Sequence, residues 1–222
     1  MTFEIDHIFV CTAEGAPEAN RLIALGLTEG EPNTHPGQGT SNRRFFFRNA
    51  MFELIWVHDE DEARSSATRR TRLFERWRRR AEDACPFGVC FRPSVDTAGP
   101  PFAGWKYAPA YLPPSLAIHI GNNSETLAEP MLFHMTFGSR PDKVPESTRQ
   151  PLEHRIGFRE ITRLRWIRPG HISMSPEVAA VFSSESLSVA SGPSHALEIG
   201  FDHESKGNAV TLAPEMPVTF YW

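Results

Sequence analysis

The stretch HPGQGTSNRRFFFRNAMFELIWV, residues 35–57, holds two runs, RRFFFRN and MFELIWV, that read as strands meeting at a tight hairpin around Asn49-Ala50. Upstream, EGEPNTHPGQGTSN (29–42) is too rich in Gly, Pro and Asn for a regular element and reads as a loop. Before it, EGAPEANRLIALGL (14–27) places Pro17 where a first helical turn accepts it. Leu22, Ile23 and Leu25 lie on one face of that segment and Gly26 where a helix stops, so a short helix is expected. The opening FEIDHIFVC (3–11) alternates as a half-buried strand does, with Asp6 and His7 interrupting the apolar series. Residues 1–58 therefore run strand, helix, loop, strand, strand.

Beyond the hairpin, residues 59–83 predict an amphipathic connecting helix. Leu73, Phe74, Trp77 and Ala81 form its apolar stripe, and the arginines between Arg69 and Arg80 occupy the rest. Short strands resume at FGVCFRP, GWKYAPAYLP, SLAIHIGN and EPMLFHMTF, with no helix between the first two, so the unit over 84–137 is a reduced one. Residues 138–159 are polar, carry Pro141, Pro145 and Pro151, and read as a surface linker. A third series follows over 160–222: EITRLRWIRP, a helix SPEVAAVFSSE with Ser175 as N-cap and Pro176 at its first position, then SLSVAS, HALEIGFDHE and NAVTLAP. The closing PVTFYW is expected to dock on a sheet.

With 222 residues, 40% of them apolar, the chain can bury a full core as one large domain or two intimately packed halves. A net charge of -4 gives no basic field for nucleic acid. The arginine cluster is flanked by Glu60, Asp61, Glu62, Glu75, Glu82 and Asp83, so it reads as a solvated face, and no nucleic-acid partner is expected. No apolar run approaches the roughly 20 residues of a membrane helix. Cys11, Cys85 and Cys90 make no CxxC pair and an odd count, which suits packing roles in a cytoplasmic protein. Nucleophile elbow, phosphate loop and dinucleotide fingerprint are all missing from the sequence.

The strand, helix, hairpin order in tandem resembles the βαβββ module of the vicinal oxygen chelate superfamily. IDHIFV resembles its first strand, where the residue at His7 is often a metal ligand, and MFELIWV its fourth, where the residue at Glu53 is often another. Between them, His35, Pro36, Gly37, Gly39, Thr40 and Asn42 resemble the HPGxGT-N motif of the glyoxalase-like subgroup. EPMLFHM resembles the eighth strand, with His134 where the family often has glutamate, and Val89 stands where the fifth strand often has histidine. The resemblance implies an α+β fold of tandem βαβββ modules whose curved, mostly antiparallel sheet encloses a small-molecule trough. Residues 1–137 would be the paired modules (1–58 first, 59–83 connecting helix, 84–137 reduced second). Residues 138–159 would be the linker, and 160–222 a partial third module packed on the same sheet system. In that third module Arg163 falls where His7 sits and Thr211 where Glu53 sits, so it reads as structural.

For chemistry, the resemblance implies a divalent ion (Zn, Fe, Mn or Ni) held by His7, Glu53 and His134, with His119 as substitute for the last. Glu53 and His35 would be catalytic; His35, Asn42, Arg44, Phe45, Phe47, Trp56 and Trp105 would meet the substrate. Of Arg43 and Arg44, one should face each side of the sheet, and the inward one would favour an anion. Asp6 is set aside as a ligand, because neighbouring strand positions point to opposite faces. The expected function is a metal-dependent lyase, isomerase or dioxygenase acting on an oxygen-chelating metabolite. The alternative is a metal-free binding or sequestering protein with an aromatic-lined pocket, in which the histidines are hydrogen-bonded core residues. Either would be a monomer or homodimer with a small molecule as partner and no membrane association.

Overall fold

The computed structural model describes residues 2–94, 99–170 and 173–222. The first unit runs β1 (Phe3–Cys11), α1 (Ala19–Leu25), β2 (Asn33–His35), β3 (Thr40–Phe46) and β4 (Met51–Val57). Its hairpin closes where expected, with Phe47 N–H donating to Ala50 O at 2.8 Å. The loop before it contributes the short edge strand β2, paired with β3 through Asn33↔Asn42 and His35↔Thr40. The second unit is β5 (Phe87–Pro93), β6 (Gly104–Tyr107), β7 (Ile118–Gly121) and β8 (Met131–His134), with no α-helix among its described residues and one 3-10 turn at Asn122–Glu125. Together they make one eight-stranded sheet in the order β2-β3-β4-β1-β5-β8-β7-β6. The chain is thus a mixed α+β structure of tandem glyoxalase-type modules.

The connecting helix over 59–83 is instead three short pieces: α2 (Glu60–Arg64), a 3-10 turn at Arg69–Thr71 and α3 (Leu73–Arg78). Side chains outcompete the backbone here, Thr68 Oγ1 donating to Glu62 O, and Arg72 takes φ 58°, which no α-helix accommodates. The arginine face is not wholly solvated either. Arg76 is fully buried, and its Nη1 donates to the carbonyls of Cys85, Leu127 and Glu129 at 2.5, 3.2 and 2.6 Å. Periodicity reads Arg as surface; three carbonyls converging at a chain crossing overrode it.

The third unit, β9 (Ile161–Pro169), α4 (Pro176–Val181), β10 (Leu187–Gly192), β11 (Ala196–Phe201), β12 (Ala209–Thr211) and β13 (Val218–Tyr221), builds its own five-stranded sheet ordered β10-β9-β11-β13-β12. It does not extend the first. Its four strands β10-β9-β11-β13 run parallel, antiparallel, parallel, as β4-β1-β5-β8 do, so it miniaturises the whole paired unit rather than one module. Thr211 therefore lies on edge strand β12, and the strand standing to β9 as β4 stands to β1 is β10. Arg163 pairs with Glu198 at 3.0 Å and with Glu204.

The two sheets pack face to face over a shared core. From the first come Ile8, Val10, Phe45, Phe47, Phe52, Leu54, Val89 and Phe91; from the second Leu164, Trp166, Leu197, Ile199, Phe201 and Phe220. Phe47 meets Phe201 at 4.9 Å and Phe52 meets Phe220 at 5.8 Å between ring centroids. This covers the outer face of the first sheet and leaves the opposite, concave face free to hold a cavity. The 138–159 segment is anchored rather than loose: His154 is buried, its Nδ1 accepting from Thr28 N–H at 3.0 Å and its Nε2 reaching Phe46 O at 3.0 Å. Phe158 stacks on Phe201 at 4.1 Å.

Candidate functional site

Strand alternation sorts the site residues. On β4, Met51, Glu53 and Ile55 face the concave side and line a cavity of about 180 Å³, while Phe52, Leu54 and Trp56 pack outward. On β3, Asn42 and Arg44 line it, whereas Arg43 turns outward to a paired contact with Glu29 at 2.6 Å. His7 and Phe9 enter from β1, Ile118 and Ile120 from β7, Met131 and Phe133 from β8. His35, Gln38, Tyr107 and Tyr111 surround the rest.

Asp6 breaks the alternation. Between Ile5↔Phe91 and His7↔Cys90 the β1–β5 register shifts by one residue, a bulge that turns Asp6 and His7 the same way. Asp6 Oδ1 lies 2.7 Å from His7 Nδ1, and Arg92 donates to Asp6 Oδ2 at 3.2 Å. The carboxylate thus holds the Nδ1 proton and leaves Nε2 to exchange protons with the cavity, where Glu53 Oε2 stands 3.8 Å away. Burial by itself would depress the His7 pKa, but the Asp6 hydrogen bond and the charges of Asp6 and Glu53 outweigh it and hold it above the ordinary value. Burial likewise works to raise Asp6, and His7 and Arg92 overcome it, so its pKa is lowered.

The HPGQGT segment is what positions the partners. Gly37 and Gly39 take φ of 78° and 73°, and their N–H groups both donate to Glu62 Oε2 of α2, at 2.7 and 3.0 Å. A Cβ on Gly39 would stand 2.2 Å from Asp59 O. Asn42 accepts from Asn33 N–H at 2.9 Å and donates to Glu53 Oε1 at 2.5 Å, which fixes the carboxylate. Gln38 donates to Thr40 Oγ1 at 2.8 Å, and the same hydroxyl meets His35 Nδ1 at 2.9 Å. In the tautomer where Thr40 donates to Nδ1, His35 Nε2–H is left as a donor, and burial lowers the His35 pKa, which favours the neutral ring.

Several residues expected here lie elsewhere. His134 and His119 face each other across β8 and β7 on the outer side, because Met131, Phe133, Ile118 and Ile120 take the inward positions. Neither nitrogen of His134 has a hydrogen-bond partner among the described residues, and His119 Nε2 meets Phe102 O at 3.1 Å. Val89 is outward too, and Cys90 beside it is the inward residue opposite His7. Phe45, Phe47 and Trp56 belong to the core between the sheets. Trp105 sits on the concave side at the edge strand, covered by the Arg70 guanidinium at 4.2 Å from the ring centroid, and does not reach the cavity. The aromatic walls are Phe9, Phe133, Tyr107 and Tyr111 instead. Tyr111 carries no sequence signal, since the 108–117 crossing that brings it against His35 at 4.9 Å is an irregular loop.

This geometry agrees with what is found among known proteins. The family model described as "Glyoxalase-like domain" matches residues 5–98, which hold β1 to β5 and with them Asp6, His7, His35, Asn42, Arg44 and Glu53. Residues 5–98 are a glyoxalase-like domain. The domain belongs to the vicinal oxygen chelate superfamily. Among solved structures, the crystal structure of a hypothetical protein from Staphylococcus aureus matches with a TM-score of 0.55 at 8% identity, covering 98% of each chain. Its fold therefore extends over the third unit as well. Among curated proteins, none matches the chain.

The superfamily often binds a divalent metal, and Asp6, His7 and Cys90 bring three ligand-type atoms within 4.8 Å of one another. Their chemistry does not fit a resident ion. Both Asp6 oxygens are engaged, one by His7 and one by a buried guanidinium that already supplies positive charge. Burial pushes the Cys90 thiol well above its ordinary pKa, so the thiolate a metal needs is disfavoured. His7 Nε2 and Glu53 Oε2 are spaced for one ion, but the second unit adds no histidine or carboxylate to the cavity lining, and two protein ligands make an incomplete set. What remains is His7 and Glu53 side by side on the wall of a small cavity. No helix of the described residues is long and apolar enough to cross a membrane.

Proposed function

We propose that this protein is a small-molecule enzyme of the glyoxalase-like type that moves a proton at a carbon beside a carbonyl or hydroxyl group, as lyases and isomerases of oxygen-rich metabolites do. One observation carries it. Asp6, His7 and Glu53 stand in series at the cavity wall, with Nδ1 of His7 held at 2.7 Å and Nε2 facing Glu53 at 3.8 Å. A substrate carbon lying against this pair is within reach of both groups, so Glu53 can take the proton and the His7 imidazolium return one to the neighbouring position. The electron pair left on carbon moves onto the adjacent carbonyl oxygen, where the neutral His35 Nε2–H is a donor of the kind that stabilises an enolate. Arg44, on the same wall, favours a substrate carrying a carboxylate. His134 faces outward, so His7, Glu53 and His134 do not converge as the ligands of an iron oxygenase would, which favours proton transfer over dioxygenation.

The test is proton exchange. In D2O, the protein should place deuterium on the carbon next to the carbonyl of small 2-oxo acids, followed by NMR. His7→Asn and Glu53→Gln should each abolish it while leaving the melting temperature close to that of the parent. Exchange that persists in both variants would refute the assignment.

The apolar contribution of the second unit, Ile118, Ile120, Met131 and Phe133, favours a second reading, a binding or sequestering protein. In that case His7→Ala keeps ligand affinity, whereas Phe133→Ala and Tyr111→Ala abolish it.

A further inference from the structure

The cavity does not end at His7. His7, Arg44, Met51 and Met135 also border a second cavity of about 290 Å³, so the two meet across these four side chains. The chemistry changes at that boundary. The first cavity holds Glu53, Asn42, His35 and Gln38; the second is walled mainly by Phe46, Pro141 and Val144, with the neutral side chains of Ser139, Thr148 and Gln150 at its margin, and its one carboxylate, Asp6, is already bonded to His7 and Arg92. Its outer wall is the 139–150 segment, which is fixed in place. Asp142 N–H donates to Arg48 O at 3.1 Å, Gln150 Oε1 accepts from Glu31 N–H at 2.8 Å, and Arg140 ties Asp142 to Glu160. At the boundary, Arg44 Nε donates to Glu31 O at 2.8 Å, and its two terminal nitrogens make no hydrogen bond among the described residues.

We propose that the second cavity is a subsite for the unbranched apolar tail of an anionic substrate, a medium-chain 2-oxo or 2-hydroxy carboxylate. The carboxylate pairs with the free terminal nitrogens of Arg44, the oxygenated carbon lies at His7, and the tail runs between Met51 and Met135 toward Val144. Arg44 and His7 together at the junction, with a mainly apolar chamber beyond them, match the carboxylate, the adjoining oxygenated carbon and the tail of such a molecule. The inference rests on the proposed proton-transfer function for the placement of the reacting carbon, but the subsite is defined by the cavity itself.

Calorimetric binding of straight-chain 2-oxo acids, from pyruvate to 2-oxooctanoate, to the intact protein tests it. Affinity should rise about fourfold per added methylene once the tail passes the methionines, the gain expected for burying one such group. Val144→Trp, which fills the chamber without touching the acid–base pair, should flatten this gradient and leave pyruvate binding unchanged; Thr148→Trp on the same wall serves if that variant fails to fold. Arg44→Met should weaken every member of the series alike. Affinity independent of chain length, a gradient that survives both tryptophan variants, or no binding by any member would overturn the proposal. A gradient in a protein that exchanges no deuterium would leave the subsite standing and sink the catalytic reading instead.

Discussion

Replacing Asp6 by asparagine removes one negative charge from the Nδ1 side of His7 and leaves a neutral acceptor of nearly the same shape. In the parent, burial depresses the His7 pKa while the Asp6 bond at 2.7 Å and the Asp6 and Glu53 charges raise it past its ordinary 6.5. A charge-assisted hydrogen bond contributes about 1 to 1.5 kcal/mol more than a neutral one, and loss of the charge adds to that, so His7 should titrate lower in D6N than in the parent. Burial and the nearby Arg92 then dominate, and the value should fall below 6.5. The sign carries into stability. A raised folded-state pKa stabilises the parent fully below 6.5 and the contribution is lost as pH rises through that raised value. D6N should therefore be hurt most in acid, by about 1 to 3 kcal/mol near pH 5 on the His7 account, with the gap narrowing above neutrality. Loss of the Asp6–Arg92 contact adds a part that does not vary over this range. NMR titration of the His7 ring, with urea melts at several pH values, reads both quantities. A His7 pKa that stays put or rises in D6N would refute the account of the dyad.

Three further outcomes are expected. His154 is buried, neutral and bonded at both nitrogens, and burial lowers its pKa, so its contribution to stability is present above 6.5 and lost as pH falls toward the lowered value. His154→Ala should cost about 1 to 3 kcal/mol for each backbone group left unpaired and flatten the acid limb of the stability profile, measured by denaturant melts. Gly39→Ala meets both a left-handed φ of 73° and a backbone oxygen 2.2 Å from the new Cβ, so it should lose at least about 1 to 3 kcal/mol and loosen the turn that holds His35, seen as a lower melting temperature. Supplementing the purified protein with zinc, manganese or ferrous iron should leave less than about a tenth of an equivalent bound by elemental analysis, because metal affinity depends on a complete and deprotonated ligand set.

How far the chain could be read from its residues differs along its length. Residues 1–58 were legible because their signals are local: alternation sets strands, Gly26 ends α1, and Asn49-Ala50 joins β3 to β4. His7, Glu53, Asn42 and Arg44 share one face because their spacing within each strand is even, and the fold brings those faces together. His134 and His119 were misplaced because β7 and β8 are four-residue strands, too short for alternation to show which face is inward.

The strand and helix order of the first unit, the turn glycines and the shared facing of side chains along β3 and β4 follow from residue order alone, since each depends on backbone stereochemistry within a few residues. That Asp6 supports His7, that Arg76 is a core residue, that the third unit covers the outer face with its own sheet and that the 139–150 segment walls a second chamber emerge only in the folded chain. Each depends on pairing or packing between segments far apart in the chain. A bulge, a cluster of converging carbonyls and a cavity wall exist only once strands have paired and packed, so no local pattern of residue types announces them.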